Sequence, residues 1–336
     1  MNEMQTMLKD SAQRLFADLL TPQARAAAES GQWQDAPWQA IEASGLPNAL
    51  LPESAGGSGL GWADVYPLVF EAGRQAIPWP LVDTLAARWL VERAALPIPP
   101  GPLTLAAPIG GNATLLQAPW AKQVAGVVLV HGGNHRQLEL LDAFGDEAAN
   151  VVGVDAQPMA RLALSKARVR AQAPLAATTV DSQTLGAMLR AAQIAGALSQ
   201  ALTISIDYVN TRVQFGKPLG RFQAIQHQLA QFAGQTAAAG AAARAAFEAL
   251  DQDEAKAVFD VAVAKQRASE AAQIGAAIAH QVHGAIGITQ EYSLHHLTRR
   301  LWTWSAEYGT AAYWSGRVAD IALDQEHGLW EFLTAR

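Results

Sequence analysis

From Gln183 onward apolar residues return every three or four positions, as Leu185, Leu189, Ala192, Ala195, Leu198, Leu202, Ile206 and Val209, in one unbroken stripe. A stripe of that period commits one face of a long α-helix to a core. Phe222, Ile225, Leu229 and Phe232 begin a second helix. A third, from about Asp253 to His283, carries its stripe mostly as alanine, which lets helices approach closely. Together they predict an antiparallel bundle over residues 181–336, opened by Asp181, whose side chain suits an N-cap.

The rest of the chain divides in two. Over residues 1–97 the apolar spacing is again helical, as in Leu8, Ala12, Leu15 and Leu19. It is broken by "LPESAGGSGLG", Leu51 to Gly61, a run of small residues that predicts a loop before a helix resumes near Trp62. Over residues 98–180 proline punctuates the chain, and short runs such as "QVAGVVLVHGG", "LELLDAF" and "ANVVGVD" predict five to seven strands, with "SKARVRAQAPL" closing the unit. Helical unit, β unit and bundle follow in that order.

Composition removes several kinds of chemistry. With no cysteine there are no disulfides, thiolate metal sites or cysteine nucleophiles, and the chain suits a reducing cytoplasm. Half the residues are hydrophobic, yet no run approaches the roughly 18 uncharged apolar residues of a membrane span. The start "MNEMQTMLKDSAQRLF" reads as an amphipathic helix, lacking the basic head and apolar middle of a secretory signal. A net charge of −6, spread without a basic stripe, gives a nucleic-acid partner little electrostatic support.

One basic elbow stands out, "NTRVQFGKPLGRFQAIQHQLAQF", Asn210 to Phe232. Pro218 stops the first bundle helix, so a turn between helices is expected here in any case. A turn alone does not explain Arg212, Gln214, Lys217, Arg221, Gln223 and Gln226. Guanidinium groups pair with phosphate oxygens and amides read ring edges, so this set suits a diphosphate joined to a heteroaromatic ring.

The segment resembles the C-terminal signature of the acyl-CoA dehydrogenase family, where it meets the FAD of a neighbouring subunit. "QVHGAIGITQEYSLHHLTRR", Gln281 to Arg300, is similar to that family's second flavin-contacting motif, and the interval between the two also matches. "GLPNALLPESAGGSGLGWADVYPLVFEAGR" resembles its N-terminal helical domain. The resemblance implies a mainly α fold with a small β-barrel between an N-terminal helical domain and a C-terminal four-helix bundle. It implies FAD as cofactor and removal of a proton and a hydride from adjacent carbons of an acyl-CoA thioester. An electron-transfer flavoprotein would reoxidise the flavin. By position, Arg212 with Gln214 or Phe215 would contact the flavin diphosphate, Gln223 and Gln226 the adenine or its ribose, and Gln281, Gly284 and Gly287 form the glycine turn, with Ala285 at a position where glycine is common.

The family's base is most often a glutamate directly before Gly-Thr. Here "WSAEYGT" puts Tyr308 in that place and Glu307 one residue earlier, a shift of about 100° on a helix. Glu307 is the candidate base. The other place the family uses, on the first bundle helix, falls near Gly186. In the β unit the usual Thr-Glu-Pro has Ala106, Ala107 and Pro108 at a similar place, and the unit is short. Such a chain resembles the small subunits of heteromeric acyl-CoA dehydrogenases, including those acting on steroid side chains, in which two chains share one flavin site. Two readings stay open: a dehydrogenase subunit using Glu307, in a homo- or hetero-oligomer, or a non-catalytic partner completing a neighbour's site. A third is a flavin oxidase or monooxygenase on the same scaffold, recognised by fast reaction of reduced flavin with oxygen. No metal is expected, since His280 and His283 lack a carboxylate at matching spacing. Gly56, Gly57 and Gly59 lack the order of a dinucleotide-binding loop.

Overall fold

The computed structural model describes residues 2–109, 112–133, 135–324 and 328–334. Five helices come first: α1 (Glu3–Leu19), α2 (Pro22–Glu29), α3 (Asp35–Ala43), α4 (Trp62–Arg74) and α5 (Leu81–Arg93). Asn2 starts α1 with a capping box, its side chain accepting from the Gln5 amide while the Gln5 side chain accepts from the Asn2 amide. Thr21 caps α2, where Pro22 occupies a first-turn position that needs no amide donor.

Helix α4 is capped from elsewhere in the chain. Its N-cap residue is Gly61, and its first amides, Trp62 and Ala63, each donate at 2.7 Å to the Asp251 carboxylate from the bundle. A Cβ at Gly61 would stand 2.7 Å from Asp251 Oδ2, so glycine is what admits that carboxylate. Replacing Asp251 by alanine is expected to cost about 1–2 kcal/mol, with Asp251→Asn recovering part of it, read from denaturant midpoints of the three proteins.

Eight strands follow: β1 (Leu103–Leu105), β2 (Ala107–Ile109), β3 (Asn112–Pro119), β4 (Gly126–His131), β5 (Gln137–Leu141), β6 (Ala149–Val152), β7 (Pro158–Ala163) and β8 (Val169–Pro174). They form two four-stranded sheets, ordered β1-β4-β5-β8 and β2-β3-β7-β6, and among the described residues neither closes into the expected small β-barrel. The chain changes sheet at Ala106, directly between β1 and β2, and among the described residues no ladder joins the two sheets. Val127 and Leu129 of β4 enter a core shared with Leu116 and Leu162 of the other sheet, while Val128 and Val130 join the large core with the helices. Burial on both faces explains why β4 reads as a continuous apolar run.

The bundle consists of α6 (Ser182–Thr211), α7 (Gln223–Gln252), α8 (Glu254–His283), α9 (Leu294–Ala306), α10 (Ala311–Leu323) and α11 (Leu329–Thr334). Asp181 caps α6 by accepting from the Thr184 amide at 2.7 Å. Ser182 Oγ donates to the Ala106 carbonyl at 2.7 Å, fixing the start of the bundle to the sheet switch. Helices α4 and α6 cross at backbone distance: a Cβ on Gly73 would lie 2.1 Å from the Gln193 carbonyl, and one on Gly196 would lie 2.0 Å from that of Phe70. Glycine at both places locks the N-terminal helices onto the bundle. Among the described residues no helix is long and apolar enough to cross a membrane.

Candidate active site

Helix α9 ends at Ala306, and α10 begins when Thr310 Oγ1 accepts from the Tyr313 amide. The four linking residues are Glu307, Tyr308, Gly309 and Thr310, with Tyr308 at φ +53° and Gly309 at φ +102°. Two left-handed residues in succession turn the chain sharply, at a conformational cost for tyrosine that its surroundings must offset. The fixing group is Lys265 of α8. Its fully buried Nζ lies within hydrogen-bond distance of the carbonyls of Trp304 (3.0 Å), Ser305 (3.0 Å) and Gly309 (2.9 Å) and of Ser269 Oγ (3.1 Å), four acceptors that share at most three N–H donors. It thereby takes up carbonyls that the end of α9 leaves without helical partners.

On one side of this link a cavity of about 460 Å³ separates it from the second sheet. Gln117, Arg161, Gln183, Trp302, Thr303 and Tyr313 are among its lining residues. Thr303 Oγ1 is buried there without a hydrogen-bond partner among the described residues. An indole, a phenol, amide edges and an unsatisfied hydroxyl form a donor set that fits a flat heteroaromatic ring such as the flavin of FAD.

On the other side lies a buried charge cluster. The Glu307 carboxylate accepts from Arg190 Nε at 2.6 Å. Arg190 also donates to Gln193 Oε1 at 2.6 Å and, through Nη2, to both oxygens of Asp83 at 3.0 and 3.2 Å. Tyr308 donates its hydroxyl to Asp83 at 3.2 Å and to the Leu105 carbonyl at 3.1 Å. The Tyr308 ring lies against Gly186, where a Cβ would come within 2.4 Å of it. Burial pushes the Glu307 carboxyl above its usual range, and Arg190 pulls part of the way back. Burial works against the charge of Arg190, yet Asp83 and Glu307 together hold it above its ordinary value. The same burial, reinforced by Asp83, keeps the Tyr308 hydroxyl protonated.

The elbow is a separate exposed feature. Strands β9 (Val213–Gln214) and β10 (Lys217–Pro218) form a small hairpin in which Gln214 pairs with Lys217. Phe215 and Gly216 at its tip have φ of +51° and +79°, a turn that glycine or asparagine enters readily and phenylalanine does not. Phe215 is 89% exposed. Arg212, Gln214, Gln223, Gln226 and Gln281 are exposed as well, with Gln226 Nε2 donating to the Gly220 carbonyl at 2.9 Å. Gly284 ends α8 at φ +63°, and Gly287 is buried against His283. Tyr208 of α6 stacks on His283 of α8 at 4.5 Å, which brings the elbow and the glycine turn to the same end of the bundle. None of these eight residues lines the cavity beside Glu307. His280 donates or accepts through Nε2 with Thr298 Oγ1 and stacks on Trp302, so its ring is engaged in packing between helices.

Sequence reasoning passed over Asp83, Arg190 and Lys265. The available signal was a charge placed on an otherwise apolar helix face, as Arg190 is beside Leu189 in the first bundle stripe.

The matched family models cover both ends of the chain: the acyl-CoA dehydrogenase N-terminal domain over residues 2–93 and the C-terminal domain over residues 177–322. The chain belongs to the acyl-CoA dehydrogenase family. Among its relatives is the acyl-CoA dehydrogenase IpdE2 of Mycobacterium tuberculosis, 31% identical over 305 residues, which are 89% of this chain and 91% of that protein. Of the solved structures, the Tcur3481-Tcur3483 steroid ACAD (G363A variant) superposes with a TM-score of 0.82 at 27% identity, covering 96% of this chain and 98% of that one. The ChsE4-ChsE5 complex from Mycobacterium tuberculosis shares the fold, with a TM-score of 0.80 at 18% identity over 97% of this chain and 98% of that one.

Proposed function

We propose that this chain is one half of a two-chain, FAD-dependent acyl-CoA dehydrogenase, in which the proton-abstracting carboxylate is supplied by the partner. The carrying observation is the occupancy of both base positions. Tyr308 stands before Gly309-Thr310 with its ring over Gly186, and the carboxylate next to it in sequence, Glu307, is bound at 2.6 Å to Arg190. A base must be free to take the proton it removes, and a carboxylate held at 2.6 Å by a buried guanidinium is not. The exposed elbow supports the same reading. Arg212 and Gln214 would pair with the flavin diphosphate of the neighbouring chain, beside Phe215. Gln223 and Gln226 would meet its adenosine, and Gln281 with the turn at Gly284 and Gly287 would close over it. In this chain's own cavity Gln117, Gln183, Thr303 and Thr310 would orient a flavin ring against Trp302 and exclude water from it. When bound, FAD supplies the acceptor for the hydride that leaves the acyl β-carbon as the α-proton is removed. The substrate is an acyl-CoA thioester, of the steroid side-chain class if this chain resembles the steroid ACAD in use as well as in fold. The electrons pass to an electron-transfer flavoprotein.

Absorbance spectra test this. Purified alone, the chain is expected to be colourless or weakly yellow. Co-expressed with a second acyl-CoA dehydrogenase chain, it should carry flavin that bleaches on anaerobic addition of acyl-CoA. A yellow homomer that bleaches by itself would instead favour Glu307 as base, a second reading that rests on the position of Glu307 at the cavity wall.

A further inference from the structure

A second cavity, about 470 Å³, opens between α1, α2, α4, α6 and α9, and it shares no lining residue with the flavin cavity. Gln13, Arg25, Glu71, Arg74, Gln200 and His296 give it a polar wall. The carboxylates around it are all taken. Glu71, fully buried, accepts from Gln13 and Gln75 at 3.0 Å each and pairs with Arg74 at 3.5 Å. Glu29 hydrogen-bonds His296 at 3.0 Å and pairs with Arg299 at 3.4 Å, and Asp155 pairs with Arg300 at 3.1 Å.

Arg25 is left over. Its guanidinium donates only to the backbone carbonyls of Gln75 (2.8 Å) and Ala76 (3.4 Å), and among the described residues it has no ion pair. A half-buried cation whose hydrogen bonds go to neutral carbonyls, with Arg300 near it and Glu29 acting on it only from beyond ion-pair distance, is undercompensated. The neighbours respond to it. Burial and the nearby Arg300 push Arg25 below its usual range against the opposing pull of Glu29, and burial, His295 and Arg25 push His296 down to about 4 against Glu29. His296 is therefore neutral at pH 7 and adds no charge to the wall.

We propose that this cleft binds a small oxyanion-bearing ligand, a carboxylate or a phosphate monoester, with Arg25 as its charge partner and Gln13 and Gln200 as hydrogen-bonding groups along the cleft. Guanidinium is the group best shaped to take either oxyanion through paired N–H donors. The Glu71 cluster fixes the floor of the cleft, where Gln13, Gln75 and Arg74 hold that carboxylate.

Isothermal titration of the full chain with malonate, inorganic phosphate and uncharged malonamide tests the site. At least one oxyanion should bind once per chain while malonamide does not. Malonate alone would mark a carboxylate ligand, and phosphate alone a phosphorylated one. Arg25→Gln should weaken binding about tenfold or more, the loss of a charge-assisted pair, and Arg25→Lys should keep part of it. Gln200→Glu, which adds a negative charge at the cleft wall, should give a loss of similar direction should Arg25→Gln fail to fold. The proposal is overturned if neither oxyanion binds at millimolar concentration, or if folded Arg25→Gln or Gln200→Glu binds as the parent does. These readouts require no flavin and no partner chain, so they stand apart from the dehydrogenase reading.

Discussion

Replacing Glu307 by glutamine is expected to destabilise the chain by about 2 kcal/mol, the scale of a weakened hydrogen bond to a charged group. The arithmetic of the cluster sets this value. Arg190, Asp83 and Glu307 are all under a tenth exposed, and Arg190 answers both carboxylates at once. Glutamine keeps the shape but removes a charge, and it turns an acceptor toward a donor only if its amide settles the right way round. Arg190 retains Asp83, which keeps the loss from being larger. A catalytic base gives the opposite pattern, since a neutral isostere would leave the melting point near that of the parent and abolish turnover. Asp83→Asn separates the two further. Asp83 does not line the cavity beside Glu307, yet it holds the same guanidinium, so a structural cluster predicts similar destabilisation from both variants. If only Glu307→Gln lost activity in the two-chain enzyme, and both variants melted like the parent, the base would lie in this chain after all.

The same cluster marks where sequence reading stopped. Local signals were strong where structure is local. Asp181 and Asp253 read as helix starts and act as N-caps, and the helical stripes in the last third correspond to α6, α7 and α8. The β unit was legible as strands but not as a topology, because the switch of sheets at Ala106 leaves no periodic trace in three-residue strands. The elbow was legible because its cations, amides and glycines fall within one short segment. By contrast, Asp83, Arg190 and Glu307 are 107 and 117 residues apart along the chain, and nothing in spacing brings them together. Only the fold shows that the carboxylate beside Tyr308 faces a guanidinium. The strain at Phe215 is equally invisible in composition, since its identity suits an apolar contact and its φ of +51° does not suit phenylalanine.

Lys265→Met should have the second large effect, a loss of about 3 kcal/mol or more when measured at pH 9, because several buried carbonyls lose their donor together. Met fills much of the same volume, so the change isolates the hydrogen bonds from the packing. Burial pushes the Lys265 ammonium down to about 7 from 10.5, with Glu307 opposing and Arg190 adding to the shift. The sign of the pH dependence follows. Between about pH 7 and 10.5 the unfolded chain holds this proton and the folded chain does not, so unfolding takes up a proton and stability rises with pH across that window. Below pH 7 both states are protonated, the cost of burying the charge is fully present, and the advantage of lysine over methionine is smallest. Denaturant curves of the two proteins from pH 6 to 10 should therefore diverge as pH rises. Parallel curves would mean that the three carbonyls and Ser269 keep Lys265 charged throughout, making it a permanent ammonium clamp. In either case the segment Glu307 to Thr310 is anchored through the Gly309 carbonyl. The methionine variant should then also lose flavin from the two-chain enzyme, because that segment forms one wall of the cavity.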